Sequence, residues 1–336
     1  MENLPQPQSL PFLCKSTGDG LALLGSILWL DSRKSGDLSF VSSAATKVTS
    51  DGPQIITTEE SLKIIETSHK APKTLVCQYN RPVSIGRLKL ELLPTGSALG
   101  GASLFIQWLG KRILYAPELQ IEKIPIVRKL QLKKADILIL GTKHSEPNLA
   151  LPPRKREKMR LLKIVKNYLE TGAYPMIFCE PTLVAPELIK LFSENKIPTA
   201  AHHSIHKIVK VYERYGNTLG SVHCYDPNTT QDKVAFLPIS QNGRWNYLRK
   251  AIFDQPILYV EESYSPTAGV NALNEVDDRF VISRTCSGKD FKDIIQAVSP
   301  KEVFFFGPYA KRYVEEFKHS HPNIRPLYEN GQPTLF

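Results

Sequence analysis

Short apolar runs rich in β-branched and aromatic residues recur through the first 140 residues, and Gly, Pro, Ser or Asp bounds each run. Runs of this length and composition predict β-strands. The predicted strands are Ser26–Leu30, Leu38–Ser42, Leu75–Cys77, Leu88–Leu93, Leu104–Trp108, Ile113–Tyr115 and Ile137–Leu140. One helix is predicted among them, because Thr57 and Glu60 have capping-box spacing and apolar residues follow them.

The pattern changes at Pro147 to Pro153, after which Arg154 opens a strongly basic helix. Strands and helices then alternate as in a small Rossmann-like sheet. The predicted elements are strand Met176–Cys179, helix Leu183–Asn195, segment Ile197–Ala201 and helix Ile205–Tyr215. A polar, turn-rich stretch covers 217–246, and buried-strand character returns at Ile257–Val260, Phe280–Ser283 and Val303–Phe306, with helices near 290–298 and 310–319.

Composition is that of a globular protein, since 42% of the 336 residues are hydrophobic and 23% are charged. No run approaches the roughly 18 apolar residues that span a bilayer, and the start of the chain does not resemble a secretory signal. We therefore expect a protein of the cytoplasm or nucleus with no membrane association. The five widely spaced cysteines indicate neither a disulfide framework nor a zinc knuckle.

Positive charge is in excess, with 43 Lys and Arg against 33 Asp and Glu, and a net charge of +10. This balance favours polyanionic partners such as nucleic acid. The predicted nucleic-acid contacts lie in two basic clusters and are Lys133, Lys134, Arg154, Lys155, Arg156, Lys158 and Arg160. The alternative is a basic helix face that is simply solvated.

A motif-like loop, Leu93-Pro94-Thr95-Gly96-Ser97-Ala98-Leu99-Gly100-Gly101-Ala102, lies between two predicted strands. It resembles the metallo-β-lactamase motif P-A-G-H-x-L-G-S-A, with Ser97 at the position of the ligand histidine. The order of elements resembles the β-CASP branch of that superfamily, from about Gly20 to Phe317. Its DNA-ligase-associated exonucleases and messenger-RNA 3′-end processing proteins are the most similar groups.

The other metal motifs of that family also align with this chain by the spacing of their flanking residues, but the metal-ligating residues are replaced. After Phe40-Val41-Ser42, the first motif becomes Ser43-Ala44-Ala45-Thr46-Lys47-Val48; Glu118 is the sole remaining carboxylate, and Gly141-Thr142-Lys143-His144-Ser145 replaces a later acidic motif. The degenerate site positions implied by the resemblance are Ser43, Ala45, Lys47, Val48, Ser97, Glu118, Arg284, Thr285 and Gly307. A dinuclear site needs roughly four to six protein ligands, so the sequence predicts no catalytic residues, no bound metal and no cofactor.

The resemblance implies an α/β fold, a metallo-β-lactamase αβ/βα sandwich with an inserted β-CASP-like α/β cap. Residues 1–150 and 257–336 would form the two parts of the sandwich, and residues 151–256 the insertion. Ser43, Ala45, Ser97, Glu118, Arg284 and Gly307 would converge in the cleft between the units. The implied function is that of a catalytically inactive, nucleic-acid-binding or scaffold subunit of a nucleic-acid-processing complex, with an active family member as a possible protein partner.

Four alternatives stay open from sequence alone. The chain could be a metal-dependent hydrolase with a rebuilt site that uses Glu118, His144 and the histidines at 202, 203 and 206. The turns could be ordinary β/α connections with no ancestral site. The chain could also be a purely structural protein of an unrelated complex, which would make the fold incidental. Cys286 could be a reactive thiol near Arg284 and Lys289, although an inert buried thiol is the simpler interpretation.

Overall fold

The computed structural model describes residues 14–17, 19–33, 36–142, 146–148, 151–230, 232–239, 255–262, 276–321 and 323–327. Across these residues the fold is mixed α/β, with three sheets and six helices. The predicted α/β class is therefore confirmed. None of the helices in these ranges combines the length and the apolar character that crossing a membrane requires.

The elements alternate along the chain as follows. The strands are β1 (Cys14–Thr17), β2 (Gly20–Leu23), β3 (Leu28–Leu30), β4 (Leu38–Phe40), β5 (Gln54–Thr57), β6 (Thr74–Val76), β7 (Val83–Ile85), β8 (Leu88–Pro94), β9 (Ala102–Trp108), β10 (Lys111–Ala116), β11 (Ile137–Gly141), β12 (Met176–Cys179), β13 (Thr199–Ala201), β14 (Val222–Cys224), β15 (Val234–Pro238), β16 (Ile257–Glu261), β17 (Asp278–Val281), β18 (Glu302–Phe306) and β19 (Ile324–Pro326). The helices are α1 (Glu59–Ile65), α2 (Arg154–Glu170), α3 (Val184–Glu194), α4 (His203–Arg214), α5 (Asp290–Val298) and α6 (Ala310–Phe317).

The first two sheets pack face to face. The first has the order β1-β2-β3-β4-β5-β6 and the second the order β19-β18-β11-β10-β9-β8-β7. Buried side chains from both, including Leu30 and Phe40 opposite Ile106 and Tyr115, form one apolar core. Such facing of two half-apolar sheets is how a layered domain removes apolar area from water.

Helices cover the outer faces of this pair of sheets. Ile65 of α1 joins Val41, Val48 and Ile55 in a cluster on the first sheet. On the second sheet, α5 and α6 contribute buried residues such as Phe291 and Tyr313 to a separate core. The layers therefore run helix, sheet, sheet, helix.

The third sheet has the order β14-β13-β15-β12-β16-β17, and every neighbouring pair in it is parallel. Its central strands β12, β15 and β16 are almost continuously apolar, as expected for parallel strands with both faces covered, whereas the edge strands β14 and β17 include exposed residues. Helices α2, α3 and α4 bury their apolar sides in its largest core. Ile64, Leu99, Ile124 and Ile126 from the two-sheet part join the same core, so the two units share apolar packing.

Most of the predicted elements are confirmed with shifts of at most two residues at their ends, but two predictions about the third sheet are wrong. The stretch 217–246 contains β14 and β15, the second of which is a buried central strand. Strands β16 and β17 pair with β12 and with each other, so the chain returns to the second sheet after Val281 and not at Ile257. The domain division itself stays a prediction.

The first turn of α1 is tied to the loop between β8 and β9. Thr58 caps α1 by accepting the backbone N–H of Ser61, one residue later than the predicted capping box places it. The hydroxyls of Thr58 and Ser61 both donate to the carbonyl oxygen of Gly100, at 2.8 and 2.9 Å. Gly100 has φ of +77°, and a Cβ there would lie 2.3 Å from the backbone nitrogen of Ser61. Close packing against α1 is therefore sufficient to require glycine at this position of the motif-like loop.

Gly100→Ala is expected to lower the free energy of unfolding by about 2 kcal/mol or more, because it adds a steric clash to the left-handed strain. Gly110→Ala is the matched control, since Gly110 has φ of +72° and no atom within 4 Å of an added Cβ. Its expected loss is about 1 kcal/mol from strain alone. Urea unfolding of both variants measures the difference, and equal losses would contradict the close packing of α1 on Gly100.

Candidate functional site

Three of the degenerate site positions are in direct contact. Ser97 lies in the loop after β8, Glu118 in the loop after β10, and Arg284 in the loop after β17. The Ser97 hydroxyl donates to the carbonyl oxygen of Glu118 at 3.4 Å, and Arg284 Nη2 donates to Glu118 Oε1 at 3.2 Å. The carboxyl ends of strands from two different sheets therefore meet here.

The Arg284 cluster consists of Arg284, Glu118 and Glu262. Arg284 Nε lies 2.6 Å from Glu262 Oε1, and the Arg284 side chain is only 3% exposed. Burial alone would lower the pKa of Arg284, but the carboxylates of Glu118, Glu262 and Glu180 outweigh burial and hold it above its ordinary value. The guanidinium is thus a permanently charged, enclosed cation.

Backbone contacts fix the loops around the Arg284 cluster. The amide of Gln120 donates from Nε2 to the carbonyl oxygen of Ser283, and the backbone N–H of Cys286 donates to Leu119 at 2.7 Å. Ser283 also accepts the backbone N–H of Thr285 through its hydroxyl. Cys286 is buried, as the simpler interpretation predicted, and burial raises the pKa of its thiol, which disfavours the reactive thiolate.

The loop that carries the first degenerate motif follows β4. The carbonyl oxygen of Ser42 accepts the backbone N–H of Ala102, which joins this loop to the strand after Ser97. Ser43 is buried and Ala45 is partly buried, whereas Lys47 is exposed. Val48 lies in the apolar cluster under α1, so its position serves the core.

Gly307 begins the turn after β18 and has φ of +100°. A Cβ there would lie 3.2 Å from the Thr142 hydroxyl, and that hydroxyl donates to Phe306. Gly141 in turn packs directly on Pro117, next to Glu118. The structure therefore links Gly307 to the loop of Glu118 through β11, without placing it in the Arg284 cluster.

Sequence reasoning missed Asp31, which organises the first degenerate loop. Its carboxylate accepts the backbone N–H of Ser42 at 2.8 Å, the hydroxyl of Thr46 at 3.1 Å and the phenol of Tyr115 at 2.7 Å. Burial raises the pKa of Asp31, and these hydrogen bonds oppose that shift. The only sequence signal was an acidic residue directly after the buried strand β3.

The histidines and remaining acids do not form a metal site in the described part of the chain, where no group of three or more His, Cys, Asp or Glu side chains converges. His202 caps α4, since its ring accepts the backbone N–H of Ser204, and α4 begins at His203. His202 and His206 therefore do not present one helical face together. Lys143, His144 and Ser145 lie outside the described residues.

The basic helix α2 does not present all of its predicted contacts to solvent. Arg154 is buried and forms an ion pair with Glu187, to which Lys158 also binds at 2.6 Å. Arg160 pairs with Glu157 at 3.0 Å and lies over the Phe280 ring. The prediction that Arg154 contacts nucleic acid is therefore wrong for this structure, because a buried, paired guanidinium cannot reach a phosphate.

Of the other predicted contacts, Lys133 binds the buried carboxylate of Glu91 at 2.6 Å. Lys134, Lys155 and Arg156 are exposed. These three are the fully exposed members of the predicted set, whereas Lys133 and Arg160 keep 42% and 40% of their side chains exposed while they pair with carboxylates.

Comparison with known proteins gives a distant relative and a distant structural likeness. No protein-family model matches the chain. A protein described as a probable DNA ligase from Opitutus terrae is 19% identical over 311 residues, which cover 91% of this chain and 30% of that protein. The chain thus spans under a third of this relative. A crystal structure of a protein of unknown function from Enterococcus faecalis matches with a TM-score of 0.57 at 13% identity, over 88% of this chain and 80% of that one.

Asp31→Ala is expected to lower the free energy of unfolding by about 2–4 kcal/mol, because the Ser42 N–H and the Tyr115 phenol lose their buried acceptor. Asp51→Ala, an exposed turn acid, is the control, with an expected change within about 0.5 kcal/mol.

The effect of Asp31 should also depend on pH. Its pKa is raised in the folded state, so the folded protein binds the proton more tightly than the unfolded chain. The wild-type stability contribution of this group grows as the pH falls through the raised pKa towards 3.8, and the alanine variant lacks that gain. Urea titrations at several pH values measure the difference, and a gap that narrows on acidification would contradict the raised pKa.

Proposed function

We propose that this chain is a catalytically inactive protein of the metallo-β-lactamase/β-CASP type that serves as a nucleic-acid-binding or scaffold subunit of a nucleic-acid-processing complex. The helix, sheet, sheet, helix layering and the separate parallel sheet support the family part of the proposal. The distant relative described as a probable DNA ligase supports a nucleic-acid-related role.

The Arg284 cluster supports the proposal that the chain is catalytically inactive. Glu118, the sole carboxylate that the resemblance leaves at a ligand position, is engaged by the guanidinium of Arg284. A divalent ion at ~5 Å from that guanidinium would be repelled by roughly 7 kcal/mol at an effective dielectric constant of about 20. The residues present therefore do not fit a dinuclear metal centre, and no step of the proposed function runs through a metal.

Binding of a polyanion is left to surface cations. Lys134, Lys155 and Arg156 are exposed, and the net charge of +10 raises the local concentration of any polyanion. Contacts of this kind release counterions and carry no sequence information by themselves. We therefore propose that the chain binds a single strand or an end of nucleic acid with little sequence preference. A protein partner, such as an active family member, would supply the chemistry.

The protein is expected to show no manganese-stimulated cleavage of single-stranded DNA or RNA. Glu118 is paired with the Arg284 guanidinium, and the other degenerate positions carry no His, Asp or Glu that could bind a metal. End-labelled oligonucleotides incubated with the purified chain and millimolar manganese measure this. Cleavage that disappears in Glu118→Ala would defeat the proposal and favour the rebuilt hydrolase.

Reversing the two exposed cations in the first turn of α2, Lys155→Glu with Arg156→Glu, is expected to weaken binding to single-stranded oligonucleotides uniformly across sequences. Loss of two phosphate contacts should reduce the log–log salt slope by about 1.4. Lys158 is left intact, because its reversal would break the contact with the buried Glu187. Fluorescence anisotropy across a salt series measures affinity and slope.

The matched control is Arg87→Glu with Lys89→Glu, which makes the same change of charge at exposed positions around the β7–β8 hairpin. It should change the slope by less than half as much. An equal effect from both pairs would show that net charge governs binding, and an unchanged affinity in the α2 variant would assign that helix face to solvent or to a protein partner.

A further inference from the structure

The Arg284 cluster joins the two units of the molecule through opposite charges. Glu118 follows β10 of the second sheet, whereas Glu262 follows β16 of the third sheet. Arg284 contacts both carboxylates, at 3.2 and 2.6 Å, from the loop that leads out of the third sheet. One guanidinium therefore bridges carboxylates that the chain brings from separate sheets.

Charge balance explains why this position requires a cation. Glu180, at the end of β12, adds a third negative charge whose field also acts on Arg284. Carboxylates gathered in a poorly solvated region repel each other unless a positive group lies between them. A metal ion gathers carboxylates from separate loops in the same way, because its charge compensates their desolvation.

We propose that the Arg284 guanidinium is a built-in structural cation, which occupies the place of a metal and holds the second and third sheets in their relative position. This inference rests on the proposed loss of the metal centre and deepens it. Its consequence is specific. When Arg284 is replaced by a small neutral residue, Glu118 and Glu262 lose the guanidinium that lies between them, and their carboxylate oxygens can bind a hard divalent ion such as Mn²⁺.

Thermal unfolding of the full chain, with EDTA or with 5 mM MnCl₂ (a concentration of about that order saturates weak carboxylate sites), tests the proposal. Arg284→Ala should lower the unfolding temperature by roughly 10 °C in EDTA, as expected when one partner of a buried ion pair is removed. Mn²⁺ should restore about half of that loss in Arg284→Ala and shift the wild type by less than about 2 °C. Arg279→Ala, which breaks the exposed pair with Glu261, is the matched control and should show neither effect.

Arg284→Lys separates charge from shape, because it keeps the cation and loses the planar fork. It should lose less than half of the temperature lost by Arg284→Ala. An equal loss in the two variants, or no response of Arg284→Ala to Mn²⁺, would overturn the proposal. If Arg284→Ala does not accumulate in folded form, refolding from urea with and without Mn²⁺ replaces the scan, and recovery in neither condition counts against the proposal.

The two proposals can fail separately. Manganese-dependent cleavage by the wild-type protein would defeat the inactive function, whatever the unfolding temperatures are. Absence of a Mn²⁺ response in Arg284→Ala, with no cleavage by the wild type, would defeat only the role of Arg284 as a structural cation.

Discussion

The buried ion pairs of Arg284 are the constraint on which the relation between the two units depends. Glu118 and Glu262 follow strands of different sheets, and the guanidinium of Arg284 contacts both carboxylates. A buried ion pair is weak evidence for net stability, because desolvation of the charges opposes their attraction. It is stronger evidence for position, since moving one unit would leave a charge enclosed without its partner.

The glycines of the motif-like loops are required for close backbone packing, independently of any chemistry. Gly100 is needed because α1 packs against its backbone, and Gly141 because Pro117 lies against it. Neither requirement involves a metal. The motif-like frames can therefore persist in a chain without ligands, and their persistence by itself does not reveal whether the chemistry remains.

Local sequence patterns predicted the elements whose signal is local. Buried strands such as β11 and β12 and the amphipathic helices α3 and α4 are encoded by runs of apolar residues with the appropriate period. β15 was missed because a five-residue run inside a polar stretch has a weak signal. Sheet membership of β16 was missed because no local pattern specifies which strand it pairs with.

Long-range pairing of charges was also beyond the sequence. Arg154 and Glu187 are 33 positions apart, so the basic helix could not be divided into paired and exposed cations before the fold was known. Arg284 and Glu118 are 166 positions apart, so the sequence could not show that a buried cation contacts this carboxylate. The central claim is that this chain has lost the metal centre, and its most direct test is elemental analysis of the purified chain. We expect well below one equivalent of zinc or manganese in a stably folded protein, whereas about two equivalents would contradict it.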